Sequence, residues 1–196
     1  MNNHYHLVIE TPEPNLSRVG QWLNVSYGMW FNCRHDRSGH LFQGRFKAAL
    51  IEDDAGLMEV VRYVHLNPAR VGRLGLSKQD RVRQRTAAAI ARDERLVEER
   101  LKVLQEHVWS SYPAYVGKVK PMDWLNLERV MSCYSGKSLS QQREALRKYT
   151  EDPVREGMVE SPWERLIGGV ILGSEEFAAQ LRDRVKGNRR EQKSLK

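Results

Sequence analysis

The chain has 196 residues, 40% hydrophobic and 29% charged, with a formal net charge of +7. That length holds one domain with a real core, or one domain plus a small appendage. MNNHYHLVIE has neither a basic leader nor a long apolar core, no apolar run approaches membrane-spanning length, and Cys33 and Cys133 show no metal or disulfide spacing, so no signal peptide, membrane span or disulfide framework is expected and a reducing cytoplasm is the default.

Residues 4–11 read as a strand. Its alternation puts Tyr5, Leu7 and Ile9 on an apolar face, expected against a core, and His4 and His6 side by side on the other. Two imidazoles at i and i+2 can grip one metal ion from the same side, or can be a fortuitous polar face; the spacing alone is weak. TPEPN (11–15) is a loop. Leu16 to about His35 reads as a helix capped by Asn15 or Ser17, with Val19, Trp22, Leu23, Ser26, Trp30 and Phe31 as its apolar stripe. Gly20 and Gly28 weaken that helix. Its Trp and Phe residues are expected in a core rather than as base-stacking platforms. Residues 35–39 form a turn, and 40–54 read as a second strand with a bulge at Gly44. Arg45 and Lys47 share one face of it. They face either phosphates or solvent.

DAGLMEVVRYVHLNPARVG reads as one helix from an N-cap at Asp54 to about Asn67, where Pro68 stops it. Tyr63 and Asn67, four apart, share a face of the last turn. In one reading they are a packed phenol and a capping amide. In the other they are a nucleophile and an oxygen ligand for a hard cation. His65 points about 200° around the helix from Tyr63 and stays out of that site.

Lys78 to His107 reads as a long charged helix with a narrow seam of Ile90, Val97, Leu101, Leu104 and Val108, packed either on its own domain or on a second copy. WSSYPAYVG (109–117) reads as a loop or turn rich in aromatics. Ser138 and Gln141 make a weak capping box, Ser161 and Glu164 a better one with Pro162 at the first helical position. The last helix starts at Ser174 and ends at Gly187. The GGVILG turn between these helices is either part of a helix-turn-helix or a small helical appendage. Arg182–Lys196 carries seven basic and two acidic residues, which suits a phosphate-binding arm or a solvated end. The chain has no internal repeat, P-loop or dinucleotide fingerprint.

Taken together, His4 and His6 offer two nitrogens to a divalent cation, Asn67 offers an oxygen, and Tyr63 stands one helical turn away as a nucleophile toward phosphorus. His4-Tyr5-His6 resembles the His-hydrophobic-His motif of the HUH single-strand DNA nucleases. HLFQGRFKA (40–48), RYVHLNPARVG (62–72), WSSYPAYVG (109–117) and SPWERLIGGVILGSEEF (161–177) resemble, in that order, the REP-associated tyrosine transposases. The resemblance spans most of the chain apart from residues 77–107, which look like an insertion. It implies an α+β, ferredoxin-like HUH catalytic domain over residues 1–76, a charged helical insertion over 77–107, and a helical C-terminal region with a basic tail over 108–196. It also implies dependence on Mg²⁺ or Mn²⁺ and cleavage and rejoining of single-stranded DNA beside hairpins, through a 5′-phosphotyrosine. By position, His4, His6 and Asn67 become the metal ligands and Tyr63 the nucleophile, with Arg45 and Lys47 as DNA contacts. Such an enzyme works in the cytoplasm, at the nucleoid. The family has a strand-helix-strand segment ahead of the HUH strand, so the domain reads as N-terminally truncated, by a late start or as a relic. An unpaired edge on the His4–His6 strand would then invite a homodimer. The alternative function is a catalytically inactive DNA-binding remnant of the same family.

Overall fold

The computed structural model describes residues 4–71, 74–76, 94–156 and 161–194. The protein's described residues are mixed α and β, mostly helical, with two short parallel strands. Its described residues fall into two units, one of Val8–Ala49 and one of the remainder. No helix among the described residues is long and apolar enough to cross a membrane.

In the smaller unit, α1 spans Leu16–Arg34, as its apolar period predicts. Asn15 occupies the N-cap without a side-chain bond. The two glycines that weaken α1 as a helix are where the following segment leans on it. A Cβ at Gly20 would lie 2.8 Å from the Phe46 ring, and one at Gly28 would touch Leu41 at 3.8 Å. Tyr27 sits 6.1 Å from both Phe31 and Phe42, centroid to centroid. The aromatic stripe does not form a core, however. No residue of α1 is fully buried, and Trp22 and Trp30 are 68% and 58% exposed.

Neither long predicted strand forms. Residues 4–10 lie in no ladder, and Tyr5, Leu7 and Ile9 are exposed rather than packed. From 40–54 only β1, Leu50–Ile51, is a strand. Alternating apolar residues permit a strand, but a ladder needs a neighbour to satisfy its backbone groups. β1 finds one in β2, Ile171–Leu172, running parallel with Leu50 opposite Ile171. The Glu52 carboxylate extends this joint by accepting hydrogen bonds from the Ser174 N–H and hydroxyl.

The larger unit is built on α2, Asp54–Leu66. Its N-cap is Asp53, one residue earlier than expected, whose Oδ1 accepts from the Gly56 N–H at 2.7 Å. Pro68 does not push Asn67 out of the helical region. Asn67 keeps φ −54° and ψ −40°, and the chain continues into a 3₁₀ turn, Asn67–Ala69. Proline is tolerated there because a tightening last turn does not need its missing N–H. Val60, Val61 and Leu66 of α2 enter the core.

That core also contains Leu74, Leu76, Leu104, Tyr112, Tyr115, Met131, Leu146 and Val154. Leu104 comes from α3, Glu94–Glu106; residues 77–93, the rest of the stretch expected as a long charged helix and including Ile90, lie outside the described residues. The seam therefore packs on its own chain at Leu104, while Val108 at its end is 78% exposed. Arg100 of α3 is buried, its guanidinium donating to the Leu74 and Val154 carbonyls at 2.7 and 3.3 Å.

WSSYPAYVG forms a turn, and a helical one. Tyr112–Tyr115 form a single buried helical turn, α4, while Trp109 outside it is exposed. Burial is sustained by a polar anchor. The buried Glu151 carboxylate accepts from the Tyr112 hydroxyl at 3.1 Å, the Gln105 amide at 2.7 Å and the Arg155 guanidinium at 3.0 Å. The short α5, Leu127–Met131, precedes α6, Leu139–Glu156. The Ser138–Gln141 capping box forms reciprocally: Gln141 N–H donates to Ser138 Oγ, and Gln141 Oε1 accepts from the Lys137 and Ser138 N–H groups.

The stronger predicted capping box does not form. Ser161 makes no side-chain cap bond, and Pro162–Arg165 is only a 3₁₀ turn. GGVILG does not join two helices either, because β2 lies between them, so there is no helix-turn-helix at this point. α7, Glu175–Ser194, is capped by Ser174 Oγ, which accepts from the Phe177 N–H. It runs past Gly187, since one glycine costs only about 1 kcal/mol in a helix of otherwise good formers.

Candidate functional site

The last two turns of α2 carry side chains to opposite sides. On one side, His65 is buried among Tyr112 and Tyr115, with Nε2 3.1 Å from Ser111 Oγ. Burial depresses its pKa to about 3. It remains neutral and serves the packing of two sequence motifs, RYVHLNPARVG and WSSYPAYVG, against each other.

On the other side stands Tyr63, in a cluster of rings and one cation. The His6 ring is perpendicular to it, centroids 5.9 Å apart. Trp163 meets it edge-on at 5.2 Å. The Arg70 guanidinium lies over its face, 4.3 Å from the centroid. Trp163 comes from the 3₁₀ turn 162–165, which Arg165 ties to α2 through an ion pair with Glu59, one turn before Tyr63. The phenol is thus bracketed by two segments remote in sequence and by Arg70, seven residues further along its own.

His4 and His6 are brought together although their segment is not a strand. Their ring centroids are 5.1 Å apart at 79°. Two imidazoles that share an ion about 2.1 Å from each nitrogen place their centroids about 5 Å apart, a spacing that an edge-on ring contact also gives. Burial, then the neighbouring His4 and Arg70, lowers the pKa of His6. That favours the neutral ring a metal requires.

Asn67 is buried, and its Nδ2 has no hydrogen-bond partner. The unanswered group is an N–H donor, which calls for an acceptor; a cation would need the amide oxygen instead. Among the described residues no three His, Cys, Asp or Glu side chains gather as a metal cluster. The paired imidazoles are the nitrogen ligands available to a cation on this side of α2, and the remaining coordination would come from oxygens of the protein, solvent or substrate.

Arg45 and Lys47 are exposed on the unladdered segment of the smaller unit, so they do not share a strand face. Sequence reasoning missed Arg70 and Trp163. Arg70 had a usable signal: it follows Tyr63 by seven residues, about two helical turns, and so returns to the same face. Trp163 had none, because its approach depends on a tertiary ion pair. No protein-family model matches the chain, and no curated protein or solved structure matches it.

Proposed function

We propose that the protein cleaves and rejoins single-stranded DNA, with Tyr63 as nucleophile, as a relative of the REP-associated tyrosine transposases. The observation that carries this reading is the His6–Tyr63 contact: the imidazole pair and the phenol meet although 57 positions separate them in the chain (63 − 6). The ferredoxin-like HUH topology belongs to this proposal and extends beyond the two short strands of the fold.

In the reaction, the Tyr63 oxygen attacks the phosphorus of a phosphodiester and gives up its proton. The bond to the 3′ oxygen breaks, and that oxygen leaves as a free 3′ hydroxyl. A 5′-phosphotyrosine remains, so one ester replaces another and the step can run backward to rejoin a strand. A divalent ion, Mg²⁺ or Mn²⁺, bound by His4, His6 and Asn67 would supply charge withdrawal at a non-bridging phosphate oxygen. Arg70, whose guanidinium lies over the phenol ring, would supply positive charge near the phosphate that Tyr63 attacks. Trp163 and His6 restrict the ring to one orientation by their edge contacts.

The test is a covalent adduct. Protein mixed with a hairpin-bearing single strand and Mn²⁺ should yield a denaturation-resistant protein–DNA species, and Tyr63→Phe should yield none while still binding the strand. An undiminished adduct from the Phe variant removes Tyr63 from the chemistry. A second reading, an inactive DNA-binding remnant, is favoured by one observation: residues 4–10, which carry both histidines, are held by no ladder. That reading predicts strand binding without any adduct.

A further inference from the structure

A separate cleft lies where the chain leaves α4 and α6 begins. It has a volume of about 230 Å³ and is lined by Val116, Gly117, Ser140, Arg143, Glu144 and Arg147. We infer that this cleft binds a phosphate group, held by the guanidinium of Arg143 with Arg147 and Ser140 beside it.

Arg143 is the centre of the argument from structure to ligand. Its Nε is wholly buried and has no hydrogen-bond partner. A buried N–H without an acceptor is costly, and an anion drawn against the half-buried guanidinium offsets that cost. The guanidinium is also held in place from behind. It lies flat against Gly117, where an added Cβ would come within 2.9 Å of Nη1 and 3.1 Å of Cζ. Gly117 has φ +80°, so any other residue there would be strained as well as obstructive. A site with this requirement at its back wall orients the guanidinium before a ligand arrives.

The remaining lining selects the class of anion. Arg147 is one helical turn along α6 from Arg143 and so shares its face. Glu144 pairs with Arg147 through contacts of 3.2 and 3.0 Å to its two carboxylate oxygens, which leaves one net positive charge on the lining. Ser140, in the first turn of α6, adds a hydroxyl beside the positive end of that helix. Two guanidinium groups and a hydroxyl around one cleft offer more donors than the two oxygens of a carboxylate can use, and suit the several oxygens of a phosphate. The phosphate can belong to a nucleic-acid backbone or to a small phosphorylated molecule. The inference does not depend on Tyr63 chemistry, since a chain that never forms an adduct would still bind phosphate here.

The experiment titrates the full chain with inorganic phosphate and follows the arginine Nε–H resonances by NMR, beside Arg143→Gln, Arg143→Lys and Gly117→Ala, with melting curves as a folding check. One arginine Nε–H resonance should shift on titration, and Arg143→Gln should remove it and weaken binding by about tenfold or more. Arg143→Lys should bind only weakly, because it keeps the charge but loses the fork. Gly117→Ala should weaken binding with Arg143 intact. A second arm measures single-strand DNA affinity against salt. If the cleft takes a backbone phosphate, Arg143→Gln lowers the salt slope by about one. If it takes a small phosphorylated molecule, phosphate binding is lost and the slope is unchanged. Equal phosphate binding by folded wild type and folded Arg143→Gln, or none by the wild type, overturns the inference.

Discussion

Glu59 and Arg165 form an ion pair that spans 106 residues of sequence and brings Trp163 to the edge of Tyr63. The Glu59 side chain is 15% exposed and that of Arg165 is 60% exposed, so the pair is partly screened. Glu59→Gln should therefore cost about 0.5–1 kcal/mol of stability. Its larger effect should be on positioning, with a fall in the rate of adduct formation but not in strand affinity. Equal loss of both in a stable variant would show that the pair is not a positioning device.

Loss of His4 or His6 should abolish adduct formation, and a chelator should do the same to the wild type. Two nitrogen donors and one oxygen suit Mn²⁺ better than Mg²⁺. Raised Mn²⁺ should therefore restore Asn67→Ala more than either His→Ala variant. Cleavage that survives the loss of both histidines would separate the metal from this pair.

Stability should depend on pH through His65. Its folded-state pKa, about 3, lies below the ordinary value of 6.5, because burial disfavours the charged ring. Between those values the unfolded chain takes a proton that the folded one refuses. The contribution is complete above about pH 6.5 and is lost as pH falls toward 3, at up to about 1.4 kcal/mol per unit. His65→Gln should reduce the slope of unfolding free energy against pH in that window, measured with chelator present.

Leu104→Ala should destabilise by about 2–5 kcal/mol, because it opens a cavity in a fully buried site. Val108→Ala, from the same apolar seam, should change stability by less than about 0.5 kcal/mol. Similar losses at both positions would mean that the far end of the seam is also covered in solution.

Neutralising Arg45 and Lys47 should flatten the dependence of DNA affinity on salt without changing which hairpin is preferred, since phosphate contacts position a protein but do not read bases. A changed preference with an unchanged slope would assign them to base recognition.

The helices were legible where period and capping agree. α1 and α2 follow from apolar spacing within a few residues, and the Ser138–Gln141 box marks the start of α6. The strands were not legible. HYHLVIE alternates as a strand should, yet alternation names only a face and not a neighbour. Among the described residues the ladder joins Leu50–Ile51 to Ile171–Leu172, and no local pattern announces a partner so distant in sequence. Of the site, Tyr63 and the histidine pair could be read from motif and spacing. Arg70 and Trp163 could not be read together, because their convergence on the phenol requires the Asn67–Ala69 turn and the Glu59–Arg165 pair. The aromatic stripe of α1 misled for a related reason: spacing predicts which residues share a face, but not that the face will be covered.

The β1–β2 joint also orders events during folding. Pairing Leu50 with Ile171 in an open chain closes a loop of about 120 residues, at an entropic cost of about 4 kcal/mol that a two-residue ladder cannot offset. Once α2 and α6 have packed, only the chain beyond Glu156 must still be gathered in, and most of that cost is gone. The ladder, the Glu52–Ser174 clasp and Trp163 should therefore arrive last, after the hydrophobic interior has formed. A cut between Glu156 and Ser161 would convert that late step into a bimolecular one. The C-terminal piece could then dissociate on dilution and return on mixing, so that completion of the Tyr63 surroundings becomes a function of fragment concentration.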